Sequence, residues 1–161
     1  MRPRHRRELT AVEHSTKELG SKLDLARIHF LGMIDYQAFF TLLQVSAAHV
    51  YLTYPFVLSW SFIEALASGC LVIGSATPPV LEVLRDGENG LTLDFFAHRA
   101  LANKIEFALE QPERMRPLRA AARATAEAQF DLTKVLLPRW TALFDDLIHH
   151  RRPALTGSAP P

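Results

Sequence analysis

The chain has 161 residues, of which 48% are hydrophobic and 22% charged, and its net charge is +1. That length suits one domain with a real core, and the charge balance argues against a nucleic-acid or membrane partner. The single cysteine, Cys70, excludes an internal disulfide and suits a reducing compartment.

Residues 1–22 read as a polar arm. Arg2, Arg4, His5, Arg6 and Arg7 are a solvated end or a basic arm that touches anionic lipid or phosphate. Glu8, Glu13, Lys17 and Glu18 stand where a signal peptide would need an apolar core. A helix is expected from Glu8 to Leu19, stopped at Gly20-Ser21. No apolar run reaches the roughly 18 residues of a membrane span. The expected location is the cytoplasm, at most peripheral to the inner membrane face.

From residue 23 to 150 the pattern alternates. Arg27 to Leu31 predicts a strand that ends at the turn residue Gly32. Asp35 is a cap residue for a helix from Tyr36 to about Gln44. Val50-Tyr51-Leu52 predicts a second strand, and Tyr54 to Ser59 a loop kept extended by Pro55. Ser61 to Ser68 predicts a helix with Gly69 as its left-handed stop. Ser61 and Glu64 have the spacing of a capping box. Leu71-Val72-Ile73 lacks alternation, as a strand covered on both faces does.

Pro78-Pro79 opens a short helix, and Asp86 to Gly90 is a turn cluster before the strand Leu91–Leu93. Helices are expected over Ala100–Leu109, Met115–Gln129 and Leu132–His150, with Pro138 in a first turn or at a kink. Residues 151–161 read as a disordered tail. This order predicts an α/β fold, a Rossmann-like parallel sheet flanked by helices. Such sheets bind ligands at the carboxyl ends of their strands. That rim comprises Gly32–Ile34, Thr53–Trp60, Gly74–Pro79 and Asp94.

Several stretches are recognisable together: "RIHFLG", "FIEALASG", "CLVIGS", "PPVLEVLRDGENGL", "LDFF" and "FDLTKVLLPRWTALFDDL". In this order they resemble the carboxyl-terminal domain of the group 1 retaining GT-B glycosyltransferases, from about Leu25 to Leu147. The resemblance implies a nucleotide-diphosphate sugar as donor substrate, with no separate cofactor and no metal. It implies that Glu64 takes the ribose diol, and that Leu58, Ser59, Trp60 and Ser61 offer backbone donors to the diphosphate at a helix start. Gly32 and Met33 fall near the nucleobase. Glu64 thus has two readings, cap and ribose acceptor.

Phe56 stands where the family has a sugar-holding glutamate, which leaves the sugar to backbone groups, Ser59, Ser61 or Trp60. Trp60 either stacks on a sugar face or packs in the core. Glu82 is a cleft residue or an exposed helix residue. The resemblance also implies that an acceptor domain, and the first two strands of this one with a basic grip on the diphosphate, lie outside this chain. Arg27–Leu31 is then expected to slide beside the next strand or to drive self-association, and an acceptor-domain chain would be a partner. The alternative is a non-catalytic fragment that binds a nucleotide weakly or serves as a protein-interaction module. A dinucleotide-binding oxidoreductase is disfavoured, because no Gly-x-Gly-x-x-Gly follows a predicted strand. Scattered His29, His49 and His98 do not suggest a metal site, and Cys70 is expected to be a small buried hydrophobe.

Overall fold

The computed structural model describes Gly20, Lys22 and residues 24–54 and 57–149. The expected arm helix at 8–19, the tail at 151–161 and Phe56 lie outside the described residues. The chain forms two compact units, Met1–Asp35 and Tyr36–Pro161.

In the first unit the expected strand at Arg27–Leu31 is not formed. A 3-10 turn spans Leu25–Arg27, and Ile28 to Leu31 are irregular. Asp24 starts the turn: its carboxylate accepts from Ala26 N at 3.1 Å, and its carbonyl accepts from Arg27 N at 3.0 Å. An aspartate that bonds its own backbone two residues on diverts the chain from extended structure. A strand is also stabilised only by a neighbour's ladder. Among the described residues the sheet has three strands, and 27–31 is not one of them. The expected insertion beside the next strand is therefore overturned. Gly32 does adopt a turn conformation, with φ 61°.

The second unit is a layered α/β structure. In chain order its elements are α1 (Tyr36–Val45), β1 (His49–Tyr51), α2 (Trp60–Ala67), β2 (Val72–Ser75), α3 (Pro78–Leu81) and β3 (Leu91–Leu93), followed by α4 (His98–Glu110), α5 (Pro112–Phe130), a wide π turn (Leu132–Leu136) and α6 (Leu137–Ile148). The sheet runs β1-β2-β3, and both pairings are parallel, with Val50 opposite Ile73 and Gly74 opposite Thr92. Pro138 sits in the first turn of α6, where its missing N–H costs nothing.

The central strand β2 is buried along its whole length, as its unbroken apolar run predicts. Its side chains alternate between two cores. Val72 joins Leu43, Phe62, Ala65, Leu66, Val80, Leu84, Ala122 and Ala126 on one face. Leu71 and Ile73 join Leu91, Leu93, Ala108 and Met115 on the other. Cys70 is fully buried in the first core, as expected. Burial pushes its thiol pKa up, with a smaller opposing pull from Arg119.

The turn at Asp86–Gly90 closes as predicted, with Gly87 at φ 74°. Asn89 fixes it from inside. Its side-chain amide donates to the Val83 carbonyl at 2.9 Å and Thr125 Oγ1 at 3.0 Å, and its oxygen accepts from Arg85 N at 2.7 Å.

His49 is half-buried in β1, and its Nε2 atom has no hydrogen-bond partner. Burial lowers its pKa from the usual value, which is about 6.5. The folded chain keeps the ring neutral where the unfolded chain binds a proton. Stability therefore falls as pH drops below about 6.5, and levels off once the lowered folded pKa is passed. His49→Gln should flatten this segment of a stability profile, read by urea unfolding at several pH values. An unchanged slope would show that His49 does not titrate differently in the fold.

Candidate functional site

The carboxyl ends of the parallel strands carry three loops, and two hydroxyl groups hold the first in place. The Ser75 side chain, at the end of β2, donates to the Thr53 carbonyl at 3.0 Å and accepts from Thr53 N at 3.1 Å. The Tyr51 phenol, at the end of β1, accepts from Ser59 N at 3.1 Å. The Tyr51 ring packs on Phe62 with centroids 5.0 Å apart. The loop is thus tied at its start to β2 and at its far end to β1.

This tether decides where α2 begins. Ser59 is the N-cap residue, with φ −82° and ψ 155°, and α2 starts at Trp60. Ser61 is then inside the first turn, so the expected capping box of Ser61 and Glu64 is not formed. The Ser59 and Ser61 hydroxyls pair with one another at 2.6 Å instead, and Ser59 makes no side-chain cap bond. Glu64 is the fifth helical residue, just beyond the first turn in which the sequence places it. At about 1.5 Å of rise per residue its Cα lies roughly 6 Å along the axis from that of Trp60. A carboxylate so placed cannot cap, and its cap reading falls.

Glu64 is half-buried, and Tyr36 is the first residue of α1. The charge of Glu64, then desolvation, holds the Tyr36 phenol above its ordinary pKa.

At the start of α2, Ser59 N is engaged by Tyr51 and Phe62 N donates to the Ser59 carbonyl at 3.2 Å. Helix geometry leaves the Trp60 and Ser61 N–H groups without intrahelical acceptors. Of the expected backbone donors, these two suit an anion and Ser59 does not. Leu58 packs partly into the core. The Trp60 side chain is 82% exposed, so its core-packing reading falls as well.

The structure therefore brings together Leu58, Ser59, Trp60, Ser61 and Glu64. Gly32 and Met33 belong to the other compact unit and are exposed there. Glu82 is exposed at the end of α3. Thr77, after β2, is buried with a hydroxyl that has no partner. Tyr54 meets Phe95 edge-on at 5.9 Å, and Phe95 meets Phe96 at 4.9 Å, which joins the loops after β1 and β3. Among the described residues no cluster of three or more His, Cys, Asp or Glu side chains suits a metal ion. No helix there is long and apolar enough to cross a membrane.

Residues 11–125 match the family model described as "Glycosyl transferases group 1". No curated protein matches the chain. Among solved structures, the chain is similar to HepE of Anabaena in complex with UDP-glucose. The two are 20% identical with a TM-score of 0.72, over 85% of this chain and 36% of that one. Sucrose-phosphate synthase of Thermosynechococcus elongatus is 28% identical with a TM-score of 0.71, over 89% of this chain and 35% of that one. The carboxyl-terminal domain of LpcC, a glycosyl transferase group 1 family protein of Francisella tularensis, is 19% identical. Its TM-score is 0.66, over 82% of this chain and 67% of that one. The chain thus spans about a third of the length of the first two.

Proposed function

The chain belongs to the group 1 glycosyltransferases, and from that premise we propose that it binds a nucleoside diphosphate sugar as the donor-binding half of a sugar transfer to an acceptor hydroxyl. The observation that carries this reading is the release of Glu64 from capping. The Ser59–Ser61 hydroxyl pair occupies the place of the box, and the carboxylate stands one turn inside a helix whose first N–H groups are open. A diphosphate at those N–H groups meets the positive end of the helix dipole. A ribose diol one turn further on donates both hydroxyls to the Glu64 carboxylate in charge-assisted bonds.

Transfer leaves negative charge on the departing diphosphate, and donors already fixed at that point stabilise it without reorganisation. The fold tether through Tyr51 and Ser75 supplies that fixity. HepE of Anabaena holds UDP-glucose on a similar fold, which makes UDP and UDP-glucose the first donors to try. The acceptor side falls to the part of such proteins that this chain does not span. A second reading, nucleotide binding without transfer, is favoured by Phe56 in the position of the family's sugar-holding glutamate.

The test is calorimetric titration of UDP and UDP-glucose into the chain and into Glu64→Gln. A lost hydrogen bond to a charged group costs about 1.5–3 kcal/mol, or roughly 10- to 150-fold in affinity. Glu64→Gln should weaken UDP by that order while unfolding at the same urea concentration as wild type. Equal affinity in both proteins overturns the ribose role. Tighter binding of UDP-glucose than of UDP separates sugar recognition from the nucleotide-only reading.

A further inference from the structure

We propose that Tyr54, Asp94 and Phe96 form a subsite for a saccharide ring at the strand rim, apart from the groups of α2. Tyr54 lies in the loop after β1, and Asp94 directly follows β3. The rings of Tyr54, Phe95 and Phe96 form one continuous set through two edge-on contacts. Single exposed apolar side chains are ordinary on a protein surface, whereas a connected set marks a contact surface. Phe95 is half-buried, but Tyr54 is 70% exposed and Phe96 67%. Clasping the two loops together needs only the Tyr54–Phe95 contact, so a clasp does not account for Phe96. Phe96 is also held in place. Its N–H donates to Asp94 Oδ1 at 2.9 Å, and its carbonyl accepts from His98 N at 2.9 Å. A platform already ordered costs less to bind.

The occupant follows from the two types of group. An aromatic face is electron-rich and attracts the polarised C–H groups on one face of a pyranose. Asp94 is exposed, and its carboxylate keeps acceptor positions beyond the one used by Phe96 N. Hydroxyls at the edge of a sugar suit them as charge-assisted donors. The same negative charge repels an anionic lipid headgroup or a free phosphate. Two sources supply such a ring, the donor's own sugar and a glycan. For the donor's sugar the inference rests on the proposed donor binding; for a glycan it stands without it.

The experiment uses the full 161-residue chain with maltotriose, cellotriose, UDP-glucose and UDP as ligands. Its variants are Tyr54→Ala, Phe96→Ala and Asp94→Asn, the last of which keeps an oxygen for Phe96 N and removes the charge. All three residues are exposed, so urea unfolding should stay close to wild type. Saturation-transfer NMR reads contact with the saccharide C–H protons, and calorimetry reads affinity. With a glycan as occupant, a trisaccharide binds wild type, UDP does not displace it, and each variant weakens it about fivefold. With the donor's sugar as occupant, each variant weakens UDP-glucose about fivefold and leaves UDP unchanged. Either result supports the subsite. Equal affinity of wild type and variants for every ligand overturns it, as does the lack of any saccharide contact in wild type. A loss in the ring variants but not in Asp94→Asn overturns the part of Asp94. Capture of phosphatidylglycerol vesicles that Phe96→Ala abolishes, with no saccharide effect, assigns the rings to a membrane and overturns the subsite. Failure of UDP and UDP-glucose to bind, beside trisaccharide binding that the variants weaken, overturns the proposed donor binding alone.

Discussion

Phe62→Ala is expected to lower the unfolding free energy by about 3–5 kcal/mol. Phe62 is 0% exposed and is the largest of the fully buried side chains. It projects from the first turn of α2 into the core shared with Leu43, Leu66, Val72 and Ala122. Its ring also contacts Tyr51, whose hydroxyl holds Ser59 N. Truncation removes buried area and leaves a cavity that parallel strands and helices on both sides cannot close. A domain of this size has roughly 5–15 kcal/mol in total, so the variant loses much of its margin. Urea unfolding measures the loss. The exposed Phe96 is the control, because Phe96→Ala removes a side chain that is 67% exposed and should cost within about 0.5 kcal/mol. Equal losses in the two variants would mean that α2 does not seal the core as described.

Gly90→Ala should cost about 3 kcal/mol, the upper part of the range for overpacking. The reason is space. A Cβ at Gly90 would collide with Leu84 Cδ1 and come within 2.9 Å of the Val72 carbonyl oxygen. Leu84 is 1% exposed and has nowhere to swing. Val72 O belongs to the central strand and cannot move without disturbing the ladder. Gly87, three residues earlier in the same turn, is the contrast. Its Cβ would meet nothing within 4 Å, but its φ is 74°. Gly87→Ala should therefore cost only the left-handed penalty of about 1–2 kcal/mol. Thermal unfolding of the two variants orders them. A smaller loss at Gly90 than at Gly87 would show that the strand edge yields more easily than the packing indicates.

Most of the second unit was legible because its signals are local. The run Leu71-Val72-Ile73 lacks alternation because helices cover both faces of β2, and all of β2 is buried. Gly69 stops α2 with φ 70°. Where the sequence misled, a partner was missing from view. Arg27–Leu31 has the composition of a strand, yet Asp24 turns its start into a 3-10 turn. Composition proposes a strand, but only a neighbouring ladder stabilises one.

The site shows the same division. Its family and the segment Ser59–Glu64 follow from residue types in order, which survive any shift of boundary. Ser59 and Ser61 are equally good caps by chemistry, so the sequence alone could not choose between them. The Tyr51 hydroxyl chose Ser59 by holding its N–H. That two-residue difference moved Glu64 out of the capping position. The sequence by itself determined the class of fold, the buried strand, the turns and the residue types at the strand ends. Tertiary structure alone decided which serine stands at the N-cap position and which N–H groups stay open. Local preferences are encoded within a few residues, whereas hydrogen-bond partners and available space depend on segments far apart in the chain.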